Sequence, residues 1–127
     1  MKNNRRGFTM IELLVVATIM ILLTTIGLIS YQSTMRKARN GRRAADIETV
    51  RSALVMYRSD HTTYPVTGVF STMLTTVIDY LSTTTIVDPK NAAPYVYTYT
   101  SAGATFTLCY TTEPSTDPGS TKCVNNP

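Results

Sequence analysis

From Leu13 to Met35 the chain carries no charged residue, and this run limits what the rest of it can fold into. Counted from Phe8 to Tyr31, the apolar segment makes roughly 36 Å of helix, enough to cross a bilayer core of about 30 Å. Only Thr18, Thr24, Thr25 and the stretch from Ser30 to Thr34 add polarity. One carboxylate, Glu12, stands near its start. A charge at the centre of a membrane helix is disfavoured by about 2.5 to 3.5 kcal/mol on insertion scales, so Glu12 calls for a partner. The plainer alternative is a first-turn position close to water and favoured by the helix dipole.

The segment before the run is short and basic, with Lys2, Arg5 and Arg6. A secretory signal peptide is a poor fit, because the apolar run is longer than the usual h-region and no small-residue cleavage site follows it. The small residue, Gly7, comes before the run instead. Cleavage after Gly7 removes the basic leader, keeps the helix, and exposes a free amine on Phe8. Basic leader, Gly7, Phe8, Thr9, Glu12 and then Leu13-Leu14-Val15-Val16 resemble the class III signal of type IV prepilins and pseudopilins.

That resemblance implies a processing site at Gly7 and Phe8, cut by a prepilin peptidase, and methylation of the Phe8 amine with retention of its charge. It also implies an assembly role for Phe8 and Glu12. The amine of one copy meets the carboxylate of another and selects the axial stagger of a homo-oligomeric helical filament. The partners implied are further copies of the chain, the peptidase, inner-membrane assembly machinery, and the membrane itself before assembly. Localisation follows: single-pass in the inner membrane, then an extracellular pilus, with a pseudopilus in the cell envelope as the alternative.

At 127 residues, a leader and a membrane-length helix leave material for one small domain with a modest core. Lys2, Arg5 and Arg6 supply most of the net charge of +4, so the basic character of a processed chain is local. It lies in Arg36, Lys37, Arg39, Arg42 and Arg43, directly after the apolar span. Such a cluster suits anionic headgroups or nucleic acid, although a solvated juxtamembrane face is the simpler expectation. Because basic residues flank the span on both sides, the positive-inside rule does not orient it. The prepilin resemblance does, with the leader cytoplasmic and the C-terminal domain exported.

Cys109 and Cys123 are the two cysteines. In an exported domain they suit a disulfide, with two free thiols as the alternative. Closing a loop of that length stabilises by about 3 kcal/mol in the chain-entropy model. A zinc site lacks ligands, since the one histidine, His61, is distant and no CxxC pair occurs.

Past the span, Ala44, Ile47, Val50, Leu54 and Tyr57 recur at helical spacing, with Arg43, Asp46, Arg51 and Arg58 assigned to other faces. The long helix ends between Thr62 and Pro65. Gly27, and Gly41 after Asn40, are the helix-softening candidates. The span holds no proline, unlike many pilins. Phe70, Met73, Leu74, Val77, Ile78 and Leu81 predict a short helix over 70–81. Tyr95 to Thr100 predicts a strand, Ser101-Ala102-Gly103 a hairpin turn, and Ala104 to Thr111 the return strand. Asp46-Ile47, Ala53-Leu54, Tyr57, Asp60 and Tyr64-Pro65 resemble the corresponding helix end of major pseudopilins and short type IV pilins, and the order of the later motifs resembles their sheet.

An enzymatic role finds no support: there is no glycine-rich phosphate loop, nucleophile elbow or metal-spaced histidine pair, and the carboxylates are scattered. No cofactor or metal is expected. Some major pseudopilins hold calcium near their C-terminal strands, which draws attention to Glu113 and Asp117, but two acids are too few for a cage of six to eight oxygens. The alternating tyrosines resemble a base-stacking platform, yet such a stripe more often packs a core. Charge-driven DNA adhesion is the only nucleic-acid partnership left open.

The sequence therefore predicts an α+β chain, with a long N-terminal helix, half membrane and half amphipathic, packed on a small antiparallel β-sheet as in pilins. Its parts are a leader at 1–7, a transmembrane or filament-core helix at 8–31, an amphipathic continuation at 32–61, and at 62–127 a globular domain with a short helix, a β-hairpin and a C-terminal disulfide loop. The function expected is that of a type IV pilin. The alternatives are a type II secretion or competence pseudopilin and a monomeric, single-pass anchored binding module.

Overall fold

A computed structural model describes residues 7–83 and 85–126, so most of the basic leader lies outside the described residues. The chain divides into two compact units, Met1–Met35 and Arg36–Pro127. One helix, α1 (Met10–Asp60), supplies the regular structure of the first unit and opens the second. Gly27 and Gly41 both sit within its uninterrupted run. In the apolar part, the hydroxyls of Thr18, Thr24 and Thr34 donate to the carbonyls of Val15, Met20 and Ser30 at 2.8, 2.7 and 2.9 Å. Their polarity is thus satisfied within the helix, which a bilayer core requires.

In the second unit, Ile47, Val50, Ala53 and Leu54 of α1 are buried and meet a three-stranded antiparallel sheet. Its strands are β1 (Thr98–Ser101), β2 (Phe106–Thr111) and β3 (Thr121–Asn125), in spatial order β1-β2-β3. Tyr99 pairs with Leu108 across β1 and β2, and Cys109 with Cys123 across β2 and β3. Period-2 alternation sends Tyr97, Tyr99, Phe106 and Leu108 into the core. The tyrosines are therefore core residues, with Tyr99 donating to the Pro65 carbonyl at 2.8 Å and Tyr97 to Asp46 at 2.8 Å. They form no base-stacking platform.

Three elements differ from the expectation. The helix expected over 70–81 is α2 (Phe70–Thr76) followed by a 3₁₀ turn, Ile78–Tyr80. Val77 leaves helical geometry at φ −102° and ψ 15°, at the end of a threonine-bearing segment of low helix propensity. The first strand begins at Thr98 because Tyr95 closes a tight turn, its N–H donating to the Ala92 carbonyl at 2.7 Å. The region expected as a disulfide loop contains a strand, β3, whose polar sequence carries little β signal.

The hairpin turn needs its glycine. Gly103 has φ +89°, and a Cβ there would lie 3.4 Å from the Val66 side chain. The Gly103 carbonyl also accepts from Tyr64 N–H at 2.8 Å, tying the chain after α1 to the hairpin.

Candidate functional site

Two polar constellations stand out, one in each unit. At the start of α1, Glu12 Oε2 accepts from the Thr9 N–H at 2.9 Å and from the Thr9 hydroxyl at 3.0 Å. In return the Thr9 hydroxyl accepts from the Glu12 N–H at 3.3 Å. This reciprocal arrangement is a capping box, which satisfies helix-terminal N–H groups left without partners in the first turn. It fixes the carboxylate and, among the described residues, leaves Glu12 Oε1 without a hydrogen-bond donor. The spacing Thr9-Met10-Ile11-Glu12 is the T-x-x-E signal of such a cap, a motif that a reading built on the helix dipole alone passes over.

Phe8, whose amine the prepilin resemblance pairs with Glu12 of another copy, is exposed. So is every described side chain from Met10 to Tyr31. Among the described residues of the first unit, nothing covers this apolar surface.

The second constellation corrects the expectation for the basic cluster. Arg43, assigned by its charge to an outer face, is 0% exposed. It holds Asp88 by a two-point contact, Nε to Oδ2 at 2.6 Å and a terminal nitrogen to Oδ1 at 3.1 Å. Its other terminal nitrogen lies 3.0 Å from Glu113 Oε1 and donates to Asn40 Oδ1 at 2.8 Å. Arg39, one turn earlier, grips both oxygens of Glu113 at 2.7 and 2.6 Å. Lys90 Nζ stands 3.2 Å from Glu113 Oε2, and Arg43 and Lys90 both lie against the Tyr95 ring, at 4.9 and 4.5 Å. Asn40 clamps the Glu113 backbone, donating to its carbonyl at 2.9 Å and accepting from its N–H at 2.8 Å.

This network fastens the loop between β2 and β3 to α1 inside the second unit. Hydrogen bonding to Arg39 holds the Glu113 carboxyl down at about 2, overcoming its burial. Burial pushes the Asp88 carboxyl up, but Arg43 and the N–H groups of Lys90 and Asn91 outweigh it and leave it below the usual range. For Tyr97, burial first and then its bond to Asp46 push the phenol up. Three cations around one carboxylate repel a further cation, and Asp117 is exposed and apart from them. The calcium site considered at Glu113 and Asp117 does not fit the residues present.

Cys109 and Cys123 are joined, with Cα atoms 4.1 Å apart, directly across the β2–β3 ladder. The disulfide therefore staples a strand pair whose intervening loop is already held by Arg39, Asn40 and Arg43.

Comparison with known proteins adds to this geometry. Residues 2–28 match the family model described as the prokaryotic N-terminal methylation motif. The type II secretion system core protein G of Klebsiella michiganensis is 35% identical over 66 residues, covering 52% of this chain and 46% of that protein. Those of Dickeya chrysanthemi and Pectobacterium carotovorum subsp. carotovorum are 33% identical over 67 residues and 35% over 63. These stretches cover 53% and 50% of this chain and 44% and 40% of the relatives, so the chain spans less than half the length of each. No solved structure matches it.

Proposed function

We propose, for a chain that belongs to the type IV pilin and pseudopilin family, that it is a non-enzymatic structural subunit of a helical filament in the cell envelope, of the pseudopilin kind. The observation that carries this reading is the apolar surface from Phe8 to Tyr31, exposed at every described side chain in the single copy. Lipid covers such a surface before assembly, and the helices of other copies cover it afterwards. A prepilin peptidase removes the leader between Gly7 and Phe8, and methylation of the new amine preserves its charge. The capping box presents Glu12 in a fixed position, and its Oε1 receives the Phe8 amine of a neighbouring copy. Inner-membrane machinery supplies subunits to the growing end.

The similarity to type II secretion core protein G in several organisms favours a pseudopilus over a surface pilus. The Cys109–Cys123 staple favours the second reading, a surface-displayed type IV pilin, because a C-terminal disulfide hardens a domain exposed outside the cell. The experiment is Glu12→Ala, followed by membrane fractionation and by chemical cross-linking between copies in cells. The reading predicts normal membrane insertion with loss of the cross-linked ladder. An unchanged ladder would reject it, and a parent chain that forms no ladder would favour a monomeric anchored module.

A further inference from the structure

The fold divides the basic run after the membrane segment into two groups. Arg39 and Arg43 are turned onto Glu113 and Asp88. Arg36, Lys37 and Arg42 remain exposed. Among the described residues Arg36 and Lys37 pair with no carboxylate, and Arg42 only approaches Asp46 at 4.0 Å. At 3.6 residues per turn, these three side chains leave the helix near 0°, 100° and about 240° around its axis, and they span roughly 9 Å along it. They therefore ring the helix. The polar layer on each side of a bilayer core is about 5 to 8 Å deep, so Arg36 and Lys37 fall within it and Arg42, about 9 Å along the axis from Arg36, reaches back to it through its long side chain. The uncharged run ends at Met35 and Tyr31 is exposed just before it, where an aromatic anchor meets the interface.

We infer that Arg36, Lys37 and Arg42 form a collar that binds anionic phospholipid headgroups and holds the subunit at a fixed depth in the bilayer before assembly. The inference rests on the membrane-inserted state of the proposed subunit. The chemistry recognised is the lipid phosphate with the net negative charge of a phosphatidylglycerol-type headgroup, to which each surface cation adds roughly a fivefold preference over a neutral lipid. The occupied Arg39 and Arg43 take no part, so the collar and the loop clasp are separable by mutation.

The test is native mass spectrometry of the full chain in neutral detergent, offered equal phosphatidylglycerol and phosphatidylcholine. The parent should retain phosphatidylglycerol preferentially. Arg36→Gln with Lys37→Gln should lower that preference by more than tenfold, and adding Arg42→Gln should lower it further, with thermal unfolding unchanged. The double variant keeps the test independent of the contact between Arg42 and Asp46. An unchanged preference in the double variant would overturn the collar. Intact lipid preference with failed filament assembly would assign these residues to a neighbouring copy instead, and displacement of the lipid by single-stranded DNA would assign them to nucleic acid. Retention of neither lipid would overturn the collar and the membrane-inserted state together.

Discussion

Removing the guanidinium of Arg43 would leave Asp88 and part of the charge of Glu113 buried without compensation. Breaking a buried pair in this way costs about 3 to 5 kcal/mol. We therefore expect Arg43→Ala to lower the stability of the second unit by that amount in denaturant titration of the detergent-solubilised chain, whereas Lys37→Ala should change it by less than about 0.5 kcal/mol. Acid should act on the same network. With the Glu113 carboxyl held at about 2 in the folded chain and near 4.5 when unfolded, its contribution is full above the unfolded value. It is lost as pH falls through the folded one. Stability should decline between about pH 4.5 and 2, by roughly 2 to 3 kcal/mol from this group, and Glu113→Gln should flatten that part of a pH titration of the unfolding midpoint. A decline of equal size in Glu113→Gln would place the acid sensitivity elsewhere.

At the level of elements, β3 is held at one end by the clasp on the preceding loop and across its middle by the Cys109–Cys123 bond. Replacing both cysteines by serine should cost about 3 kcal/mol, read as a lower midpoint under non-reducing conditions. Native-state hydrogen exchange should then show β3 amides opening before those of β1. The hairpin tests a different force: Gly103→Ala forces a side chain into left-handed backbone beside Val66 and should destabilise by roughly 1 kcal/mol or more.

The sequence made the long helix, the core stripe and the hairpin legible because each carries its own period. Arg43 lies on the same stripe as Ile47, Val50 and Leu54, so periodicity pointed inward while charge pointed outward. What decided between them were partners 45 and 74 positions away along the chain from Arg43 and Arg39, and no local pattern encodes such distances. The capping box is encoded locally, since Thr9 and Glu12 stand at its spacing, but reading Glu12 through the helix dipole alone passed over it. β3 was not, because a strand recruited by pairing and a disulfide needs no alternation of its own.

For the molecule as a whole, the second unit buries its core within one copy, whereas the described apolar side chains of the first unit are exposed and, in the proposed function, are covered by lipid or by other copies. That difference is what makes the chain a filament subunit in this account, with processing at Gly7 and Phe8 as the step that supplies the second half of the contact to Glu12. The most direct test is intact-mass and N-terminal peptide mass spectrometry on material sheared from cells and on the membranes left behind. The account predicts a disulfide-bonded chain beginning at methylated Phe8, found mainly with the envelope membranes, while abundance in the sheared fraction would favour the surface pilus. A chain still beginning at Met1 in both fractions would contradict it.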